Sequence, residues 1–433
     1  MIYISTRNNN KEYSFCEAVI KGLAEEGGLF LPKEIPVLKD KFIGKLRDKS
    51  LTEISYEISE LFIDDIPADE LSLIINEAIN FPAPLVRLSD KYSVLELFHG
   101  PTCAFKDFGA RFLAGVLSYY LKTEGKKCTI LVATSGDTGS AVASGFYRKD
   151  NIDVVILYPS GKVSRIQEQQ LTTFGKNIYA FEIEGTFDDC QRLVKTAFND
   201  EKLNKKYFLT SANSISIGRL LPQTFYYFEA WKQTEESDKE IVFSVPSGNL
   251  GNLTACLFAR KMGLPIKYAV SALNRNDVFR KYLETGLYLP EASIRTISNA
   301  MDVGNPSNRE RISYLYKNNI ELIKNDIHVY SFDDDETRDL MNEIFLNFNY
   351  IMDPHGSVGF LAAKKDDQSY KNNNHYIVLE TAHTAKFPDE TNSLIREKIA
   401  VPDQLKDVLN KTKHSIKISN DYQEFKGRLL TLM

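Results

Sequence analysis

The chain has 433 residues, 43% hydrophobic and 26% charged, and a net charge of −5. That is the composition of an ordinary water-soluble globular protein of about two or three domains. Its charges form no single-sign block, which argues against a nucleic-acid-binding surface, and its longest mostly apolar runs, such as Phe112–Leu121, fall far short of the roughly 20 residues that span a bilayer.

The opening, Met1 to Glu12, is polar and lacks the apolar stretch of a secretory signal. Residues 1–92 read as a mostly helical region. Ser14–Leu23 and Leu51–Phe62 carry helical patterns, and Gly27–Pro32 reads as a turn with an apolar plug. Phe81-Pro82-Ala83-Pro84 then breaks the chain.

From there short β-rich runs alternate with helix-length amphipathic ones. Val94–Phe98, Thr129–Ala133, Val154–Tyr158, Ile178–Ile183, Ile241–Val245, Ile266–Ser271 and Tyr376–Leu379 read as strands. Between them lies a helix from Asp107 to Leu121, with Phe108, Phe112, Leu113, Val116, Leu117 and Tyr120 on one face. Thr186-x-x-Asp189 is a capping box that opens another helix, ending near Phe198. The repetition of strand, loop and helix predicts βαβ units and parallel sheets. The helical stretch Leu221–Trp231 and the polar run Thr234–Glu240 suggest two α/β domains, 93–232 and 233–433, behind the N-terminal region.

Five cysteines, Cys16, Cys103, Cys128, Cys190 and Cys256, are widely spaced with no C-x-x-C pair, as expected of reduced thiols in a cytoplasmic protein. The six histidines form no H-E-x-x-H or similar cluster, so no zinc site is expected.

Three segments carry chemistry. Lys106 lies between Phe105 and Phe108 at a predicted helix start. Apolar surroundings and the positive helix end both favour its neutral, nucleophilic form over the free-amine pKa of about 10.4. Ser135-Gly136-Asp137-Thr138-Gly139 joins a strand to a helix and suits an anion such as a carboxylate or phosphate. Pro246-Ser247-Gly248-Asn249-Leu250-Gly251-Asn252 does the same with a tighter glycine pattern. It is neither the P-loop of nucleoside triphosphatases nor a dinucleotide fingerprint. A fourth segment, Glu380-Thr381-Ala382-His383, follows a late strand. Either Glu380 or Thr381 could meet a ring nitrogen, but not both, because neighbouring strand residues face opposite ways; His383 reads as a structural or loop residue. One amine with two anion cradles matches pyridoxal phosphate and an amino-acid substrate, which bring an aldehyde, a phosphate and a carboxylate.

The segments GLAEEGGLFLP, HGPTCAFKDFGARF, ATSGDTGSAVA, SANSISIGRLLPQ, VPSGNLGNLTA, SNAMDVGNPSN and TAHTAKF resemble the threonine synthase family, in order and spacing, over essentially the whole chain. The resemblance is to the longer form with an N-terminal helical region. It implies a fold-type-II pyridoxal-phosphate architecture, two α/β domains with the cofactor in the cleft between them. It implies conversion of O-phospho-L-homoserine and water to L-threonine and phosphate, by γ-elimination and β-addition of water. Lys106 would then be the Schiff-base lysine, and Gly248, Asn249, Leu250, Gly251 and Asn252 would hold the cofactor phosphate. Thr381 would face the pyridine nitrogen. Ser135, Gly136, Thr138 and Gly139 would hold the substrate carboxylate, with Asp137 beside the cofactor. Asn213, Ser214 and Arg219 would bind the substrate phosphate. Two positions depart from the family: Ser216, where asparagine is expected, and Arg165, where proline is. A fold-type-II dehydratase or phospholyase, and a non-catalytic pyridoxal-phosphate-binding protein, are the alternatives at this stage. The oligomeric state is open between monomer and homodimer.

Overall fold

Strands that return in the same direction need a crossover of a dozen or more residues, usually a helix. The alternating pattern after Phe81 therefore builds two mostly parallel sheets. The computed structural model describes residues 1–235, 238–371, 373–391 and 399–432; of the polar run Thr234–Glu240, residues 236 and 237 lie outside them. In chain order the strands are β1 (Tyr3–Ser5), β2 (Phe30–Pro32), β3 (Leu85–Arg87), β4 (Tyr92–Glu96), β5 (Cys128–Ala133), β6 (Ile152–Pro159), β7 (Ile178–Glu184), β8 (Leu209–Thr210), β9 (Glu240–Pro246), β10 (Tyr268–Leu273), β11 (Ile327–Ser331), β12 (Asn374–Glu380) and β13 (Ile416–Ser419). Every strand expected from the sequence forms, with ends moved by no more than about two residues.

The six-stranded sheet has the order β11-β10-β9-β12-β4-β3 and the five-stranded sheet the order β13-β7-β6-β5-β8. All neighbours are parallel except β3, which runs antiparallel on the edge beside β4. The sheets do not follow the linear division at residues 92 and 232. β3 and β4 pair into the sheet that holds β9 to β12, and β13 returns from the C-terminal part to the edge of the other sheet. The helix Tyr422–Leu432 follows it, setting the Phe425 ring edge-on to Phe181 at 5.4 Å.

The N-terminal region is helical, as its patterns predict, in Phe15–Lys21, Leu51–Phe62 and Ala68–Ala78. Capping boxes at Ser14/Glu17 and Ser50/Glu53 satisfy the first amides of two of these helices. The expected turn at Gly27–Pro32 is in part a strand: Phe30–Pro32 pairs antiparallel with Tyr3–Ser5. The apolar residues there are buried by pairing as well as by plugging. The central helix is Lys106–Glu124, and its predicted apolar face is entirely buried. It meets the N-terminal helices at Gly115, where a Cβ would lie 2.8 Å from Ile74 Cγ2. The N-terminal region and the helices of both sheets thus share one hydrophobic core. No helix among the described residues is long and apolar enough to cross a membrane.

Candidate active site

A cavity of about 630 Å³ opens at the carboxyl ends of strands from both sheets, where the turns after β5, β9 and β12 converge. Lys106, Ser135, Thr138, Asn213, Ser214, Arg219, Gly248, Asn249, Gly251, Asn252 and Thr381 all line it. Residues spread over 276 positions of sequence thus meet at one place.

Lys106 is the first residue of its helix. The preceding turn is tied down on two sides. The Phe105 N–H donates to the Thr381 carbonyl at 2.8 Å, and Ala104 bridges to Ala382, which sets Lys106 and Thr381 on the same cavity wall. Asp107 is buried and accepts from the Thr102 N–H at 2.8 Å and the Thr102 hydroxyl at 2.7 Å, closing the turn that delivers the lysine. The Lys106 amine lies 4.7 Å from the Phe105 ring, and the protein encloses it everywhere but on the cavity side. Burial pushes it down to about 8; Asp137 opposes the shift, while Lys386 and Arg219 reinforce it.

In the Ser135–Gly139 turn the organising residue is Thr134. Its hydroxyl accepts from the N–H groups of Gly136 and Gly139, at 3.0 and 2.9 Å. Gly136 has a φ of 142°, and a Cβ there would strike the Gln167 side chain. Gly136 and Gly139 shape the turn and stand behind the cavity wall, which Ser135 and Thr138 form. Asp137 also stands behind it. Its carboxylate pairs with Lys386 at 2.7 Å and accepts from Gln167 at 3.0 Å, both side chains of the ion pair being closed to water. Burial alone would raise its pKa, but Lys386 and Lys106 hold it well below the usual carboxylate range.

The turn Pro246–Asn252 is braced from within. Asn252 Nδ2 donates to the Pro246 carbonyl at 2.8 Å. Leu250, buried and behind the cavity wall, takes the left-handed φ of 58° that lets the chain enter the helix Gly251–Lys261. Gly248 packs against the segment 299–303, where a Cβ would lie 2.8 Å from Met301 Cα. Gly251 has more room: a Cβ would have ordinary contacts at 3.5 Å and beyond.

Arg219 is buried at 3% exposure. One guanidinium nitrogen donates to the Ala212 carbonyl at 2.5 Å, while Nε has no hydrogen-bond partner. No carboxylate pairs with it among the described residues, and burial pushes its pKa down to about 10. Asp107 offsets part of the cost of this burial through charge without an ion pair, and an anion arriving in the cavity would offset more.

Of Glu380 and Thr381, it is Thr381 that lines the cavity. Glu380 is fully buried behind the wall, accepting from the Asp353 N–H at 2.6 Å; burial, then the adjacent Asp353 carboxylate, push its pKa well up. His383 is structural: Nδ1 accepts from the Ala385 N–H, and its ring stands edge-on to Phe98. Ser216 is buried with its hydroxyl unbonded, so it makes no contact in place of the expected amide. Arg165 is exposed at the start of the helix Arg165–Thr172, which Ser164 and Gln167 cap without it.

Sequence reasoning missed Lys386, although it lies in the segment TAHTAKF, and also His355. The His355 ring lines the cavity, bonds through Nδ1 to Asp353 at 2.5 Å, and accepts from the Ala300 N–H at 3.2 Å through Nε2. Asp353 as N-cap with Pro354 behind it signals a helix start, but nothing local signals a cavity.

These residues fit pyridoxal phosphate: an enclosed amine of lowered pKa for the aldehyde, a glycine-opened helix start for the phosphate, and a hydroxyl at Thr381 for the ring. Residues 79–381 match the family described as Pyridoxal-phosphate dependent enzyme. Fold and site together define a lyase whose cofactor is pyridoxal 5'-phosphate. Residues 2–79 match the Threonine synthase N terminus, and residues 356–427 the family Threonine synthase, C-terminal. A threonine synthase of Buchnera aphidicola subsp. Acyrthosiphon pisum (strain APS) is 41% identical over 428 residues, 98% of each chain. The crystal structure of threonine synthase from Escherichia coli matches with a TM-score of 0.92 at 38% identity, covering 100% of both chains. The PLP-bound threonine synthase from Brucella melitensis matches at 0.93 and 34% identity, covering 99% of this chain and 98% of that one. The chain belongs to the threonine synthase family.

Proposed function

We propose that this cleft converts O-phospho-L-homoserine and water into L-threonine and phosphate, by γ-elimination followed by β-addition of water. The observation that carries this reading is the placement of Lys106 on one cavity wall with two glycine-rich strand-to-helix turns and a buried arginine that no carboxylate pairs with among the described residues. Lys106 is the residue that would hold the cofactor aldehyde. Its amine, which burial brings down to about 8, is the group that would take the proton from the substrate Cα. When bound, the cofactor supplies the electron sink for the charge left at Cα.

Gly251 and the backbone from Gly248 to Asn252 hold the cofactor phosphate at the helix start. Ser135 and Thr138 offer hydroxyls to the substrate carboxylate. Asn213, Ser214 and Arg219 take the substrate phosphate and stabilise it as it departs from Cγ. Thr381 offers a hydroxyl to the ring nitrogen. Asp137 acts through charge, balancing Lys386 beside the amine. The reading places the protein in the cytoplasm, in keeping with five free thiols of which four are buried.

Purified protein loaded with pyridoxal phosphate and given O-phospho-L-homoserine should release threonine and phosphate in equal amounts. Release of 2-oxobutanoate and ammonia instead would make it a dehydratase or phospholyase; no turnover would leave it a binding protein.

A further inference from the structure

The turn Pro246–Asn252, read above as the cofactor-phosphate site, and the segment around Ser214, read as the substrate-phosphate site, are bonded to each other. Asn249, in the cofactor-phosphate turn, donates from Nδ2 to Ser214 Oγ in the substrate-phosphate segment at 2.5 Å. Asn308 joins them a second time. Its Nδ2 donates to the Asn249 carbonyl at 2.9 Å and to the Ser214 carbonyl at 3.3 Å. Asn308 is fully buried, and a Cβ on Gly251 would lie 3.5 Å from its Nδ2 and 3.7 Å from Ser214 Cβ, so three distant stretches of chain close on this one amide.

What orients the amide is Arg311. Its guanidinium is also fully buried, and it donates to Asn308 Oδ1 at 2.7 Å, to the Ile215 carbonyl at 2.6 Å and to the Phe30 carbonyl at 2.9 Å. An arginine only donates. The Asn308 atom that faces it must therefore be the oxygen, and the NH₂ must face the two turns. Carbonyl and N–H of a trans peptide point in opposite directions. Drawing the carbonyls of Ser214 and Asn249 toward Asn308 therefore turns the N–H groups of Ile215 and Leu250 away from the clamp.

We propose that Asn308, set by Arg311, is a positioning residue that aims the peptide groups 214–215 and 249–250 together, so that one side chain tunes the binding of both phosphates. The proposal rests on the reading of the two turns given above. It also gives the N-terminal region a part in the site, because the Phe30 carbonyl at the start of β2 anchors the arginine.

The test is Asn308→Asp. A carboxylate keeps the acceptor for Arg311 and adds a charge to it, but it loses both donors to the turns. The thermal midpoint should fall, since two buried carbonyls lose their donor, but the variant should still fold and saturate with cofactor. Cofactor affinity, read by absorbance titration of the apo-protein, should fall about tenfold, as should inhibition of the loaded enzyme by inorganic phosphate. Arg219→Ala should weaken phosphate inhibition alone. Asn308→Asp with parental affinity for both would overturn the clamp, even with the turns correctly assigned. Parental phosphate inhibition in Arg219→Ala would instead count against the assignment of the substrate segment. Asn308→Ala, which adds no charge, should repeat the paired loss. Failure of both Asn308 variants to fold with saturating cofactor would make Asn308 a core residue and remove it from the site.

Discussion

Lys386 and Asp137 form an ion pair at 2.7 Å with neither side chain open to water, and both act on the Lys106 amine. Asp137 raises the lysine's pKa; Lys386 lowers it. Two segments 249 positions apart in sequence thus set the protonation of the residue that holds the cofactor.

Lys386→Gln should separate the two influences. Glutamine can still donate to Asp137 and to the Thr102 carbonyl, which Lys386 contacts at 2.9 Å, but the positive charge is gone. Lys106 then keeps the influence that raises its pKa and loses one that lowers it, so its titration moves above about 8. Cofactor uptake by the apo-protein needs the neutral amine. Its rate against pH should therefore rise at a higher midpoint in the variant than in the parent. An equal or lower midpoint would show that the pair does not govern Lys106.

Lys106 itself should make the loaded protein yellow. Borohydride should fix the cofactor on the peptide that contains Lys106, because this lysine lines the cavity wall beside Phe105 and Thr381. Peptide mapping that finds the label on another lysine would displace the assignment.

Arg219→Ala removes a buried cation that lacks a carboxylate partner. A hydrogen bond to a charged group contributes roughly 1.5–3 kcal/mol, so kcat/KM for O-phospho-L-homoserine should fall about tenfold to a hundredfold. The cofactor absorbance should stay unchanged. A fall in thermal stability with a disturbed spectrum and intact kcat/KM would assign the arginine to the core alone, through its bond to the Ala212 carbonyl.

The glycines of the phosphate turn should part company. At Gly251 a Cβ has ordinary contacts, so Gly251→Ala should keep the thermal midpoint of the apo-protein while weakening cofactor binding. At Gly248 a Cβ would press on Met301 Cα at 2.8 Å, so Gly248→Ala should lower the midpoint as well. Equal melting of the two variants, or full cofactor affinity in Gly251→Ala, would contradict this division.

The sequence by itself determined the strands β4, β5, β6, β7, β9, β10 and β12, the helix that Lys106 opens, and the turns that follow β5, β9 and β12. These depend on local rules: side-chain period, capping residues and glycines at strand-to-helix joints act over about ten residues. It missed β1, β2, β3, β8, β11 and β13, short strands of two to five residues that lie at sheet edges or form the two-stranded β1–β2 pair, and whose pairing is set by the neighbour each strand joins rather than by a strong pattern of their own. Only the tertiary structure decided that β4 lies beside β12, and hence that Phe105 meets Thr381 and that Thr381, not Glu380, faces the cavity. Tertiary structure alone also turned Asp137 behind the wall to Lys386, and brought Phe30, Asn249 and Asn308 around Arg311 and the Ser214–Ile215 peptide. The reason is that a side chain's partner across hundreds of residues follows from the order in which strands pair, and no periodicity within a strand encodes that order.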